Sequence, residues 1–237
     1  MSDDLNIDKN NKIRKSKHKH VYVILAIIFL VILACSYFIF VPLINKMISD
    51  SFGAAKPIIY LYPEEEMEIT INLKNSDRIT YSYPVYKEEG WKVLAKPNGE
   101  LTYLENGREL YSLYYESNLS NNIDITDEGF VVEQNKIIPF LEEKLDLLGL
   151  NEREAEEFII YWLPILSQNK YNYIRFATLE ETEEYMDIDI NPKPDTFIRI
   201  TMIFKGLDKP IKVNEQKINK PKREGYVAVE WGGINLN

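Results

Sequence analysis

The chain has 237 residues, 45% of them hydrophobic, with 28 Lys and Arg against 37 Asp and Glu for a net charge of −9. That length allows one domain with a real core, and the acidic balance argues against nucleic acid as a partner. His18, His20 and Cys35 are the only histidines and the only cysteine, and all precede residue 36. Ser-His-Asp and Cys-His catalysis, disulfides and thiolate or imidazole zinc sites are therefore excluded from everything downstream, where neither a metal nor a cofactor is expected.

Residues 1–20 form a basic arm carrying Lys9, Lys12, Arg14, Lys15, Lys17 and Lys19. Residues 21–45 follow without an Asp, Glu, Lys, Arg or His. At about 1.5 Å per residue this run covers the roughly 30 Å of bilayer hydrocarbon, and a helix satisfies its own backbone there. The next basic residues are Lys46 and Lys56. The retention of Lys and Arg inside predicts a single-pass signal anchor with a cytoplasmic N-terminus and an extracytoplasmic C-terminal domain. Ile32-Leu33-Ala34-Cys35 also resembles a lipobox, in which Cys35 would be lipidated, but Ser36 to Ile44 stays apolar where lipoproteins turn polar. Residues 46–55 read as a short linker.

Residues 56–237 carry 21 Lys and Arg and 33 Asp and Glu, a net charge of −12. Lys56 to Pro63 reads as a short buried strand bounded by prolines, and Met67 to Leu73 alternates apolar and polar residues with the strand period of two. Further strands are predicted at Ile79 to Tyr83, Trp91 to Ala95, Leu101 to Leu104 and Leu110 to Glu116, with Asn98-Gly99 and Asn106-Gly107 in the turns. After Phe130 the spacing becomes helical through Ile137, Leu141, Leu145 and Leu148, with Gly149 placed to cap the helix. Asn151 and Glu154 have the spacing of a capping box for a second helix, whose stripe of Ala155, Phe158, Ile159, Trp162 and Leu163 runs to Pro164, expected to kink or end it. Strands return at Tyr171 to Phe176, Met186 to Ile190, Phe197 to Phe204 and Tyr226 to Trp231, with a turn at Lys205 to Asp208 and a polar loop at Gln216 to Arg223. The order predicts an α+β domain, a mostly antiparallel sheet covered by a helical hairpin.

Several phrases in this domain resemble a family of functionally uncharacterised bacterial and fungal proteins. They are Lys56 to Pro63, Gly90 to Gly99, Tyr114-Tyr115-Glu116, Phe158 to Pro164 and Val229-Glu230-Trp231-Gly232-Gly233. The resemblance spans the whole outer domain and transfers no catalytic residue. It implies a self-contained domain to which the membrane anchor is an addition.

Candidate chemistry rests on carboxylates. Glu116 and Glu230 each end a predicted strand and could share a cleft as an acid and base pair, the arrangement glycoside hydrolysis requires. Tyr60, Tyr62, Trp91, Tyr114, Trp162 and Trp231 could supply aromatic platforms, although such residues also favour strands and cores. Arg175 and Arg199 sit within apolar strands, so each is either solvated or paired with an acid, and could line an anionic-ligand pocket with Glu116 or Glu230. Ser167-Gln168-Asn169-Lys170 lacks the companion motifs of penicillin-recognising enzymes, and Asp187-x-Asp189-x-Asn191 has Pro192 where a calcium loop needs glycine. The expectation is a membrane-anchored binding or interaction module at the cell surface or wall, with an envelope polymer or a membrane protein as partner. The alternative is a carboxylate-dependent hydrolase of envelope glycan or peptide, and a third is a structural subunit of a membrane complex.

Overall fold

A computed structural model describes residues 29, 30, 36–38, 41, 55–118 and 123–236, and the chain divides into two units, 1–51 and 52–237. In the first unit the described residues are helical, and the side chains of Phe29, Leu30, Tyr37 and Phe38 are exposed. The rest of the predicted span at 21–45, the basic arm at 1–20 and the linker up to residue 54 lie outside the described residues. No helix among the described residues is long and apolar enough to cross a membrane.

The second unit is α+β. It opens with seven strands: β1 (Ala55–Tyr62), β2 (Met67–Leu73), β3 (Ile79–Tyr83), β4 (Trp91–Ala95), β5 (Leu101–Tyr103), β6 (Arg108–Leu110) and β7 (Leu113–Ser117). After β8 (Glu128–Glu133) come the helices α1 (Ile137–Leu147) and α2 (Glu152–Leu166). The chain continues through β9 (Tyr171–Phe176), α3 (Leu179–Tyr185), β10 (Ile188–Asn191), β11 (Thr196–Leu207), β12 (Asn214–Glu215) and β13 (Val227–Asn235).

The strands make two sheets where the sequence suggested one. Eight run in the order β12-β8-β9-β11-β13-β1-β7-β3, and five in the order β10-β2-β4-β5-β6. Pairing is antiparallel except for β11 with β13 and β12 with β8. Alternation along β1 shows how the layers assemble: Ile58 and Tyr60 join the core beneath α1 and α2, while Ile59 and Leu61 join the core against the smaller sheet. The larger sheet is thus covered on both faces, so β13 reads as a nearly unbroken buried run, Val227 to Ile234.

The helical hairpin forms as its end signals require. Gly149 adopts φ +89 and the Leu150 amide donates to the Leu145 carbonyl at 3.1 Å, closing α1. In α2 the Asn151 side chain accepts from the Glu154 amide at 2.9 Å, and the Asn151 amide donates to the Glu154 carboxylate at 2.8 Å. Pro164 lies inside the last turn of α2 without ending it. The carbonyl it leaves without an amide is that of Ile160, whose residue is 66% exposed, so water can serve it.

Other boundaries moved. β11 continues through the predicted turn to Leu207, because β9 pairs with it as far as Tyr171 opposite Leu207. The single strand predicted at 110–116 breaks into β6 and β7, which belong to different sheets. β8 and α3 were not anticipated. A seven-residue helix such as α3 is too short to stand on propensity. Its Thr178 and Glu181 form a capping box, a Thr-x-x-Glu signal present in the sequence, and Thr182 is buried against Thr201 of β11.

Two helices, each about 10 Å across, cover about four strands spaced 4.8 Å apart. The core beneath them draws on β8, β9, β11, β13 and β1. At the far side the sheet continues into β7 and β3, so a groove opens between α2 and these outer strands.

Candidate functional site

Glu116 and Glu230 do not share a cleft. In β7, Tyr115 packs in the core between the sheets, so Glu116 beside it points to the helical face. In β13, Val229 and Trp231 pack under the helices, so Glu230 between them points to the opposite face. The pairing expected of them as acid and base therefore fails on strand parity: the two carboxylates project from opposite faces of one sheet.

Glu230 instead forms a buried cluster. Arg199 Nε lies 2.5 Å from Glu230 Oε2, with their side chains 2% and 6% exposed. The Tyr115 hydroxyl donates to the other carboxylate oxygen, and Arg199 Nη2 donates to the Met186 carbonyl at 2.8 Å. Burial, reinforced by the Glu230 charge, holds the Tyr115 phenol well above its ordinary pKa, so it remains a donor. Burial alone would lower the Arg199 pKa, but the Glu230 carboxylate overrides it and raises the net value. The adjoining cavity of about 10 Å³ has room for about one water. These groups hold one another, and no ligand of useful size reaches them.

Arg175 is also paired, with neither of the acids considered for it. Its Nη1 and Nη2 donate to the two Glu181 oxygens at 2.9 Å each, so the residue that caps α3 also ties that helix to β9. Burial would raise the Glu181 pKa, yet the bonds from Arg175 and Thr178 outweigh it and hold it below the ordinary 4.5. A folded pKa below the unfolded one means stability that is complete above the unfolded value and lost as pH falls through the folded one. Glu181→Gln should therefore lower the melting temperature at neutral pH, and its deficit against wild type should shrink between about pH 5 and 3. Melting curves across that range check it, and a deficit independent of pH would contradict it.

Of the aromatic candidates, Tyr60, Trp91, Trp162 and Trp231 are at most 2% exposed and serve as core. The Trp91 indole donates to the Pro84 carbonyl at 2.9 Å. Tyr62 is half-buried, stacked on Tyr60 and beneath the Arg223 guanidinium. Arg223 in turn holds Glu154, which is fully buried, through bonds of 2.9 and 3.1 Å. Trp91 and Trp231 thus drop out as binding platforms because strand parity points them into the two cores.

Tyr114 and Glu116 remain, and both line the groove beside α2. Its volume is about 520 Å³, and Tyr83, Tyr111 and Tyr161 join them, with Glu109, Glu157 and Lys56. Tyr83 and Tyr111 are 45% and 46% exposed. Sequence periodicity could not find this set, since it is drawn from β1, β3, β7, α2 and the residues around β6. The charges are unevenly matched. Glu157 accepts from the Tyr60 hydroxyl at 2.7 Å and meets Arg153 at 3.4 Å, whereas Glu109 and Glu116 have no ion pair among the described residues. Burial and the Glu116 carboxylate push the Tyr114 and Tyr161 phenols up from their ordinary pKa, so both stay neutral hydroxyls.

Two rings in or beside this groove already hold cations. Lys56 Nζ stands 4.5 Å from the Tyr161 centroid, and the Arg153 guanidinium 4.6 Å from that of Tyr111. Lys56 is the one non-glycine residue with positive φ among those described, at +54, a conformation that costs about 1 kcal/mol or more. Among the described residues no group of His, Cys, Asp or Glu is arranged to hold a metal ion.

Comparison with protein-family models, characterised proteins and solved structures finds no match to this chain. The functional reading therefore rests on the geometry.

Proposed function

We propose that this chain is a single-pass membrane protein whose extracytoplasmic α+β domain, residues 56–237, binds an envelope polymer at the cell surface or wall through the groove beside α2. Residues 1–20 would be the cytoplasmic arm, 21–45 the span and 46–55 the linker. The apolar run behind six basic residues supports the anchor, as do the exposed side chains of Phe29, Leu30, Tyr37 and Phe38. The family resemblance is consistent with a self-contained outer domain.

One observation carries the binding role: an open groove of about 520 Å³ faced by four tyrosines with carboxylates between them. Such a volume suits a small ligand or a short stretch of polymer, with ring faces for apolar surfaces and carboxylates for hydroxyl or ammonium donors. The hydrolase alternative keeps Glu116, whose groove neighbours are Glu157 and Glu109 in place of Glu230. Glu157 is engaged by Tyr60 and Arg153, so binding is the better supported reading.

Co-sedimentation of the full chain, in detergent micelles, with insoluble envelope polymer tests this. Wild type should sediment with the polymer, and Tyr83→Ala/Tyr111→Ala should stay in the supernatant at an unchanged melting temperature. Equal sedimentation of both proteins would remove the groove from the account, and sedimentation of neither would overturn the binding role. Release of soluble fragments, abolished by Glu116→Gln, would move the conclusion to hydrolysis.

A further inference from the structure

The groove is faced by aromatic rings and carboxylates, the two kinds of group that stabilise an organic cation. Lys56 shows where such a cation sits, with its ammonium 4.5 Å from the Tyr161 ring centroid. Three carboxylates, Glu109, Glu116 and Glu157, line the same groove, and Lys56 forms an ion pair with none of them. The arginines nearby are spoken for: Arg153 meets Glu157 and Tyr111, and Arg108 donates to the Tyr83 hydroxyl. Glu116 is left beside Tyr114 and Tyr161 with no ion pair among the described residues.

Lys56 is also held at a cost. Its backbone is in the left-handed region, φ +54, where a residue with a Cβ is disfavoured, and it directly precedes Pro57. This backbone belongs to the β-bulge between Ala55 and Ile58, where β1 shifts register against β13, so the sheet holds it whatever the side chain touches.

Resting on the groove as the binding site, we propose that its ligand carries an alkylammonium group, which takes the place over the Tyr161 ring that Lys56 fills in the free protein, with Glu116 of the same groove as its counter-ion. Lys56 is then a resident competitor, whose ammonium the ligand displaces from the Tyr161 ring. An ammonium ligand gains both the ring face and the carboxylate, whereas a neutral chain of the same length gains only apolar contact.

The probes are Nα-acetyl-lysine methylamide and Nα-acetyl-norleucine methylamide, the same chain without its terminal ammonium. Each is titrated into the full chain in micelles while the ring signals of Tyr111 and Tyr161 are followed by NMR. The lysine probe should shift both signals and the norleucine probe neither. Glu116→Gln should weaken the lysine probe about tenfold, and Lys56→Met should tighten it about threefold, each at an unchanged melting temperature. Equal shifts with both probes, or a dissociation constant unmoved by Lys56→Met, would overturn the inference. A neutral oligosaccharide from the polymer that shifts the rings when the lysine probe does not would overturn it while sparing the groove as a binding site. Silence from every probe, with no sedimentation on polymer, would remove both.

Discussion

Replacing Arg199 by Met should destabilise the outer domain by about 3–5 kcal/mol, because it leaves the Glu230 carboxylate buried without its countercharge. For a domain of this size that is a fall of roughly 6–20 °C in melting temperature. Glu230 is 4% exposed, and after the substitution only the Tyr115 hydroxyl would still donate to it. Neither carboxylate nor guanidinium can swing to solvent, since both lie between the two sheets. The double variant Arg199→Met/Glu230→Leu should recover part of the loss, because no buried charge remains, although the Tyr115 hydroxyl loses its acceptor. Urea unfolding of the single and double variants measures both effects. Unchanged stability in Arg199→Met together with loss of a ligand would instead assign Arg199 to a binding site, contrary to its burial.

Trp162→Ala should cost about 3–5 kcal/mol, the range for emptying a core site of an aromatic ring. Trp162 packs edge-on against Phe204 at 5.5 Å and Tyr161 at 4.8 Å, and lies 6.2 Å from Phe158, which itself contacts Trp231. The same site explains the second glycine of the Trp-Gly-Gly phrase. A Cβ built on Gly233 would lie 2.5 Å from Trp162 Cζ2 and 2.9 Å from Cη2, so Gly233→Ala should cost about 1–3 kcal/mol by overpacking. The two sites must couple. Trp162→Phe removes the clashing part of the ring and forfeits no hydrogen bond, since the Trp162 indole nitrogen has no partner among the described residues. Trp162→Phe/Gly233→Ala should therefore be more stable than the sum of the single losses predicts, as read from denaturant midpoints. Strict additivity would show that the cost of Gly233→Ala does not arise at the Trp162 ring.

The contrast between the two families of glutamates carries the functional lesson. Glu154, Glu181 and Glu230 each hold an arginine across the fold, to Arg223, Arg175 and Arg199, and tie the loop at 216–225, the helix α3 and the sheet interface into one unit. Glu109 and Glu116 hold none among the described residues and face the groove. Carboxylates without countercharges beside open tyrosine rings are groups whose partner can come from outside the domain.

Element type was legible wherever local physics decides it. The alternation of Met67 to Leu73 and of Trp91 to Ala95, the stripe through Leu141 and Leu145, Gly149 as a cap and the Asn151–Glu154 capping box each reappear in place. These depend on residues within a few positions of one another, so the chain alone encodes them. The prolonged apolar run at 21–45 and its basic flank are likewise properties of the sequence. What only the tertiary structure decided is which face each residue meets. One step along a strand carries a side chain to the other layer, and this separates Glu116 in the groove from Tyr115 in the core, and Glu230 in the core from the groove. The division into two sheets, the pairing of Arg199 with Glu230, and the gathering of tyrosines from β3, β7 and α2 all join residues distant in sequence. Pairings of that range are set by how strands and helices cover one another, which the hydrophobic pattern of a single chain leaves open.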